Sequence, residues 1–327
     1  MAEGFFKGRK VLVTGATGFL GSWLVETLAE KGADVACIIR DKVPRSMFFR
    51  NGLDKRVASA HSDLTDLRSI ERIVNEYEPE IVLHLGAQAL VGLASASPTS
   101  TFDANIRGTW NVLESCRLHD RTVKSVVVAS SDKAYGDQDV LPYSEEMPLR
   151  GRNPYDASKS CADILSQCYG KTYGLPVSIT RCANFYGGGD LNLSRIVPYT
   201  IHCALEGKRP LIRSDGKSVR DYLYVKDAVS AYLTLAQKTE EKGFRGEAFN
   251  FSSEEYLSVL DMVGRILSMM GKGDLQPDIR NESRNEIRDQ RLCAEKARRI
   301  LGWKSEWPFE KAMRETIAWY SDDLSKR

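Results

Sequence analysis

The chain has 327 residues, 42% of them hydrophobic and 28% charged, and a formal net charge of +2. This composition indicates a globular protein with a large core, and the small net charge argues against a dominant nucleic-acid or membrane-binding surface. No run approaches the ~20 apolar residues that cross a bilayer, and no signal-like segment opens the chain. The seven cysteines form no CxxC pair, so we expect reduced thiols, a cytoplasmic protein and no metal site.

Short apolar runs alternate with helical patterns over the first half of the chain. Strands are predicted at 10–14, 34–39, 80–85, 125–129 and 175–180, with the first helix at 19–31. Apolar runs without internal alternation are typical of strands covered on both faces, and the intervening helices imply right-handed crossovers. The predicted fold class is therefore α/β, with a Rossmann doubly wound parallel sheet.

The regular alternation of strands and helices fades after Cys182. Shorter elements follow, with strands predicted at 210–213 and 248–252 and helices at 259–270 and 294–301. We interpret residues 1–182 as a dinucleotide-binding Rossmann domain that is rejoined by about 223–250. The remainder, 183–327, is predicted to form a smaller C-terminal α/β region that binds the substrate.

Three glycines, Gly15, Gly18 and Gly21, lie between the first strand and its helix. Glycine permits a tight turn and a close approach of the backbone to a pyrophosphate, and the helix N-terminus offers unpaired N–H groups. Glycine-rich turns also occur for structural reasons alone, but here a strand and a helix flank the turn. We predict that a dinucleotide contacts Gly15, Thr17, Gly18, Phe19, Leu20 and Gly21.

Tyr155 and Lys159 lie four residues apart on a predicted helix that begins at Asn153-Pro154 and ends at Gly174. Both side chains therefore share one helical face. We expect the ammonium to lower the pKa of the phenol toward the range of a general base. For this pair taken alone, a surface tyrosine beside a surface lysine is the alternative interpretation.

Ser131, Asp132 and Lys133 follow the strand predicted at 125–129. Ligands of open parallel sheets bind beyond the carboxyl ends of the strands, so these side chains are expected to face the cleft. The Ser131 hydroxyl could then hold a substrate hydroxyl against Tyr155. An ordinary polar loop after a strand is the alternative when the segment is considered alone.

These three segments, in this order, resemble the extended short-chain dehydrogenase/reductase family, with its GxxGxxG turn, strand-end serine and YxxxK. The resemblance covers nearly the whole chain and includes 63–64, 86–88, Asn105, 181–187, 219–222 and 301–303. It implies that Ser131, Tyr155 and Lys159 are catalytic.

The same resemblance implies binding residues. Further cofactor contacts would come from Arg40, Asp41, Asp63, Leu64, Gly86, Ala87, Gln88, Tyr155 and Lys159. A nucleotide-sugar would contact Gln88, Asn105, Ser131, Asn184, Arg195 and Arg220. The guanidinium of Arg220 suits a diphosphate, although an internal pair with Asp221 is an alternative.

Members of this family begin by oxidising a sugar hydroxyl, generally at C4, with transfer of hydride to the nicotinamide of NAD(P). A 4,6-dehydratase then removes the C5 proton, expels the C6 hydroxyl with the help of an acid, and returns the hydride to C6. Ser131-Asp132-Lys133 most resembles CDP-glucose 4,6-dehydratases, with further likeness to the GDP-mannose enzymes. We therefore predict an NDP-hexose 4,6-dehydratase with Asp132 and Lys133 in the catalytic set.

Two alternatives to dehydration stay open. Lys133 replaces the glutamate to which the C5 proton is usually assigned, and a lysine acts as a base only after losing its proton. Some sugar 2-epimerases also have a lysine here, so an epimerase acting at C4 or C2 is one alternative. A cofactor-binding sensor or scaffold without turnover is the other, and the complete set of Ser131, Tyr155 and Lys159 argues against it.

The residues after the second strand leave the choice of cofactor open. Asp41 would accept hydrogen bonds from ribose hydroxyls, whereas Arg40 suits a 2′-phosphate. We predict that both NAD and NADP bind, with a slight preference for NADP.

A homodimer is also predicted, because the helices at 105–118 and 155–173 commonly pair between subunits in this family. Four residues of the second helix would face either a partner or the core of the protein: Ala162, Leu165, Cys168 and Tyr169.

Overall fold

The computed structural model describes residues 4–282 and 287–325. Within these ranges, strands β1 to β12 lie at Lys10–Thr14, Asp34–Ile39, Ala58–His61, Ile81–His84, Ser125–Ala129, Val177–Cys182, Asn184–Tyr186, Leu211–Ile212, Val219–Tyr224, Glu247–Phe251, Tyr256–Ser258 and Asp278–Ile279. Helices α1 to α11 lie at Phe19–Glu30, Met47–Arg50, Leu67–Tyr77, Val91–Ala96, Pro98–Phe102, Gly108–Leu118, Pro154–Tyr173, Ile196–Leu205, Val225–Lys242, Val259–Met269 and Phe309–Ser325. No helix in these ranges is both long enough and apolar enough to span a bilayer.

The main sheet has seven strands in the order β3-β2-β1-β4-β5-β6-β10. Every pairing in it is parallel. One buried cluster packs α1 and α9 against one face of the sheet, and a second packs α3 and α6 against the other. The predicted doubly wound sheet is confirmed. Its strand order reverses between β1 and β4, and ligands of such sheets bind beyond the carboxyl ends at this point.

One edge of the main sheet is completed late in the chain. Strand β10 pairs with β6 in parallel, from Glu247 opposite Ser178 to Phe251 opposite Cys182. At the other edge, the family resemblance implied a third strand before residues 63–64, but the sequence pattern did not locate β3. Its four residues are mostly exposed and form no apolar run, so the pattern that revealed its neighbours is missing there.

The smaller region follows β6. It contains the three-stranded sheet β11-β9-β7 and the two-stranded sheet β12-β8. The segment after residue 287 runs beside β9, because Val219 N donates to Arg288 O at 2.9 Å and Gln290 N donates to Val219 O at 3.1 Å. Late residues of the chain are thereby brought beside the carboxyl edge of the main sheet.

Candidate active site

The glycine-rich turn joins β1 to α1 at the carboxyl edge of the main sheet. Gly15 has a φ of +71°, and a Cβ there would lie 2.8 Å from the backbone nitrogen of Gly86. A Cβ at Gly21 would overlap the Gly15 carbonyl oxygen. Gly18 is the exposed N-cap of α1, whose first turn contains no acidic residue. The turn is therefore a close backbone cradle at a helix N-terminus, which fits the pyrophosphate of a dinucleotide.

The other predicted residues of this turn differ in exposure. Thr17 and Phe19 are half-buried, and Leu20 is buried in the core. The Phe19 ring lies close to Gly187, where a Cβ would be 3.4 Å from its Cζ atom. The start of α1 therefore contacts the loop that leads into the smaller region.

The ends of β2 and β3 present charged side chains to solvent. Arg40 Nε donates to Asp41 Oδ2 at 2.6 Å, and both residues are exposed. Asp63 is also exposed and accepts from Thr65 N at 2.8 Å and from Thr65 Oγ1 at 2.7 Å, and Leu64 beside it is half-buried. Partial burial acts to raise the pKa of Asp63, but the Thr65 hydrogen bonds and the Arg40 charge outweigh it and lower the pKa.

The loop of Gly86, Ala87 and Gln88 follows β4, and Asn105 ties it to α7. Gln88 N donates to Asn105 Oδ1 at 2.6 Å. Asn105 Nδ2 donates to Gln88 O at 3.1 Å and to Ser158 Oγ at 2.8 Å. Asn105 is only 1% exposed, and its amide oxygen and both amide hydrogens are bonded within the protein. In this structure Asn105 positions the loop and does not face the cleft.

A buried histidine that the sequence did not single out connects the same elements. His84 Nδ1 lies 2.8 Å from Thr14 Oγ1, and its Nε2 lies 3.1 Å from Thr109 Oγ1. Gly86 N in turn donates to Thr14 Oγ1 at 2.9 Å. Burial lowers the pKa of His84 to about 3, and the positive charge of Lys159 acts in the same direction. The neutral imidazole therefore links β1, β4 and α6 beneath the cleft.

Helix α7 has the predicted capping residues. It begins at Pro154 after Asn153, which has extended backbone angles, and it ends before Gly174, which has a φ of +71°. Tyr155 and Lys159 lie in its first two turns, at the carboxyl edge of β5.

The prediction that the pKa of the Tyr155 phenol is lowered is wrong, because this pKa is raised. Lys159 Nζ donates to the Ala129 carbonyl oxygen at 2.7 Å, and burial lowers the pKa of this lysine to about 8 against the opposing charge of Asp163. Burial raises the pKa of Tyr155 to about 12, although the Arg195 guanidinium acts to lower it. Desolvation of the phenolate thus outweighs the nearby positive charge.

Ser131, Asp132 and Lys133 lie at the start of a 3₁₀ turn directly after β5. Ser131 Oγ donates to Asp132 Oδ1 at 3.0 Å and accepts from Lys133 N at 3.2 Å. Burial raises the pKa of Tyr155, and the nearby Ser131 hydroxyl acts to lower it. Asp132 is 2% exposed, and burial raises the pKa of its carboxyl group. Its Oδ2 has no hydrogen-bond partner among the described residues. The Lys133 amine donates to Gln290 Oε1 at 3.2 Å.

Two polar residues predicted to bind substrate come from the smaller region. Asn184 Nδ2 donates to the Asp221 carbonyl oxygen at 3.3 Å, and Arg195 Nη1 lies 3.0 Å from Asp190 Oδ2. Burial raises the pKa of Tyr155, and the positive charge of Arg195 acts to lower it.

Arg220 lies on β9, where its Nη1 donates to Val219 O at 2.9 Å and to Arg288 O at 3.2 Å. The Asp221 carboxyl group, considered above as its partner, accepts from Ser252 Oγ and from Leu292 N. Arg220 also acts on Asp132, where its charge opposes the burial that raises the pKa of the carboxyl group. Arg195 and Arg220 are thus near enough to Tyr155 and Asp132, respectively, for their charges to act on these groups, in which burial has the larger effect on the pKa.

A family model described as GDP-mannose 4,6 dehydratase matches residues 12–316. The chain belongs to this family. It is 30% identical to the CDP-glucose 4,6-dehydratase of Salmonella typhimurium, over 97% of this chain and 92% of that protein. It is 31% identical to dTDP-glucose 4,6-dehydratase 1 of Escherichia coli, over 95% of this chain and 92% of that protein.

Solved structures agree with these relatives. A UDP-glucose 4-epimerase of Thermotoga maritima with UDP-glucose matches with a TM-score of 0.87 and 28% identity, over 96% of this chain and 99% of that one. The dTDP-glucose 4,6-dehydratase of Streptomyces venezuelae with NAD and TYD bound matches with a TM-score of 0.86 and 26% identity, over 97% and 98%. The predicted family and the prediction of a nicotinamide-dependent nucleotide-sugar enzyme are confirmed, and 4,6-dehydratase function is supported over the full chain.

Proposed function

We propose that the protein converts a nucleoside-diphosphate hexose into the 4-keto-6-deoxyhexose derivative, with a substrate like CDP-glucose. Asp132 is the observation that carries this proposal. Its carboxyl group is buried directly after Ser131, has a raised pKa and keeps one oxygen without a partner among the described residues. A carboxyl group that retains its proton is the acid that loss of the C6 hydroxyl requires.

Oxidation at C4 would use Tyr155 and Ser131. Tyr155 would first give up its own proton, and the resulting phenolate would accept the proton of the C4 hydroxyl while Ser131 holds that hydroxyl in place. A bound nicotinamide supplies a hydride acceptor at C4 and later a hydride donor at C6. Lys159, held by the Ala129 carbonyl oxygen, lies one helical turn after Tyr155 and is a proposed contact of the cofactor.

Asp132 and Lys133 would then carry out the elimination as a pair. The neutral amine of Lys133 takes the C5 proton, and Asp132 gives its proton to the departing C6 hydroxyl, which leaves as water. These two transfers leave a carboxylate beside an ammonium, and one proton passed back restores the starting pair. The two residues are adjacent in the 3₁₀ turn after β5, which supports such an exchange between neighbours.

The nucleotide diphosphate would be held by the smaller region. Asn184, Arg195 and Arg220 are the proposed contacts, because guanidinium groups bind diphosphates with paired hydrogen bonds. We accordingly assign cofactor binding to residues 1–182 with 223–250, and nucleotide-sugar binding to the rest of 183–327. Gln88, half-buried in the loop after β4, would contact both ligands.

We further propose that NAD and NADP both bind, with a slight preference for NADP. Arg40 is exposed at the end of β2, where a 2′-phosphate would lie. Its 2.6 Å pair with Asp41 would have to open, which keeps the preference small. The cofactor would also contact Asp63, Leu64 and the turn of Gly15 to Gly21.

A homodimer through α6 and α7 is proposed from their exposed apolar residues. Trp110, Leu118, Ile164 and Tyr173 are 41%, 49%, 55% and 57% exposed. Of the four residues considered from the sequence, Ala162 is buried, Leu165 and Tyr169 pack against the core, and Cys168 is exposed. Light scattering at micromolar concentration should give twice the monomer mass, and a monomer would reject the proposal.

Solvent hydrogen tests the proposed reaction. Purified protein is incubated in deuterium oxide with CDP-, GDP-, UDP- and dTDP-hexoses, and the products are followed by mass spectrometry. A 4,6-dehydratase should yield a product lighter by one water, with deuterium at C5 and the original C4 hydrogen at C6. Reduced nicotinamide should not accumulate over complete cycles.

An epimerase is the second candidate, favoured by the fold match to a UDP-glucose 4-epimerase. A 4-epimerase would return the hydride to C4, so its product would have unchanged mass and no solvent label. That result would reject dehydration. A protein that binds cofactor but transforms none of the sugars would be the non-catalytic sensor or scaffold.

A further inference from the structure

Gln290 is a buried side chain at the cleft that neither the family motifs nor the proposed reaction uses. It is fully buried, and its Oε1 accepts a hydrogen bond from Lys133 Nζ at 3.2 Å. The two residues lie 157 positions apart in the chain. The Nε2 atom of Gln290 has no partner among the described residues. An unpaired buried amide nitrogen destabilises a fold, so a purely structural position would be better filled by an apolar side chain.

The backbone on both sides of Gln290 is fixed. Gln290 N donates to Val219 O on β9 at 3.1 Å, and Tyr143 N donates to Arg291 O at 2.7 Å. Cys293 N donates back to Tyr143 O at 2.9 Å. The segment is therefore paired with β9 before Gln290 and with Tyr143 after it, which leaves the side chain little freedom to move away from Lys133.

An amide oxygen suits the task of holding a base. It only accepts hydrogen bonds, so an amine N–H points at Gln290 whether the lysine is charged or neutral. The lone pair of the neutral amine must then point elsewhere. A carboxylate at the same place would favour the ammonium and keep the proton on the lysine to higher pH. A neutral acceptor fixes the amine without that penalty.

We propose that Gln290 is a positioning residue that aims the Lys133 amine for removal of the C5 proton. This inference rests on the proposed dehydratase function. Without Gln290, the four-carbon stem of Lys133 could swing through several rotamers, and few of them would present the amine correctly.

Two variants separate positioning from charge. Gln290→Met keeps the length of the side chain and removes the acceptor, and Gln290→Glu keeps an acceptor but adds a negative charge. Gln138→Met is the matched control, because the Gln138 amide bonds to backbone carbonyls in the same region and not to Lys133.

The turnover readout compares two steps. In Gln290→Met, loss of water should slow by about tenfold, while the first hydride transfer, seen as reduced nicotinamide in a single turnover, should change by less than about twofold. Added to Lys133→Met, the same change should cause no further loss. Independent, additive losses would overturn the inference.

A second readout needs no turnover. Acylation of Lys133 by acetic anhydride, followed by mass spectrometry across a pH series, reports the pH at which half of the amine is reactive. Gln290→Glu should move this midpoint upward by about one unit, and Gln138→Met should leave it in place. An identical midpoint in the wild type and both Gln290 variants would reject positioning by Gln290. If the wild type dehydrates no sugar, the proposed function fails, but this labelling still decides whether Gln290 controls the amine.

Discussion

The two proposed sides of the cleft differ in composition, because main-chain atoms form one and polar side chains form the other. On the cofactor side, Gly15, Gly18 and Gly21 form a cradle of main-chain atoms, and the nearby charged side chains Arg40 and Asp63 lie in solvent. On the proposed substrate side, polar side chains lie close together: Asp132 and Gln290 are buried, Lys133 and Arg220 are half-buried, and Lys133 donates to Gln290. We expect cofactor binding to require that these three glycines have no side chain, and turnover to require the polar groups of the substrate-side residues.

This difference determines what each side tolerates. A main-chain cradle is damaged by any added atom, whereas a removed charge at its rim changes little. A buried polar group is damaged by removal or by a change of charge, since its partners are left desolvated without compensation. Four substitutions test this contrast, from the largest expected effect to the smallest.

Tyr155→Phe should leave cofactor affinity nearly unchanged and reduce turnover by about two orders of magnitude or more, because the positioned proton acceptor is lost. Initial rates and cofactor titration by fluorescence measure the two effects. The matched control is Tyr173→Phe at the exposed end of the same helix, which should keep full activity. Activity retained in Tyr155→Phe would reject this tyrosine as the catalytic phenol.

Asp132→Asn should block loss of water while sparing the first hydride transfer. Water loss should slow by about a hundredfold, because the amide cannot donate the proton that the leaving hydroxyl needs. Reduced nicotinamide should then build up, visible by its absorbance. Asp137→Asn alters an exposed acid five residues away and should behave as the wild type. Normal water loss in Asp132→Asn would remove the acid from the mechanism.

Gly15→Ala should weaken cofactor binding by about tenfold or more, equivalent to about 1.4 kcal/mol. The added methyl would meet the Gly86 backbone 2.8 Å away at a φ of +71°, so the cradle must shift. Gly92→Ala is the control, because a Cβ there has no atom within 4 Å. Equal cofactor affinities in the two variants would show that the cofactor does not require the close backbone approach at Gly15.

Arg40→Ala should have the smallest effect. We expect NADP affinity to fall by about threefold and NAD affinity to stay the same, since an exposed ionic contact contributes about 1 kcal/mol or less. Arg45→Ala, at an exposed arginine nearby, is the control. Titrations that show a large preference for NAD, unaltered by Arg40→Ala, would reject the proposed preference for NADP.

The sequence predicted those features that depend on near neighbours. The glycine-rich turn, the limits of α7 and the position of Ser131 after β5 each depend on residues a few positions apart. The pKa of Tyr155 could not be predicted from spacing, because its direction depends on how deeply the fold buries the phenol.

Other features depend on distant partners. His84 meets Thr14 across 70 positions, and Lys133 meets Gln290 across 157. Neither pair has a local pattern, so only the assembled fold brings them together. The limits of the polar strand β3 could not be predicted for a related reason, since it belongs to the sheet by pairing with β2 and not by an apolar run of its own.

The position of β10 at the edge of the main sheet has a consequence for synthesis of the protein. The first six strands of that sheet are complete once Cys182 has left the ribosome, but the partner of β6 ends only at Phe251. Until then the nascent chain displays an unpaired strand edge, the kind of surface that pairs with other chains. Expression of the first 182 residues alone should therefore yield aggregates, and the strand edge stays unpaired while the elements β7 to α9 and β10 itself are translated.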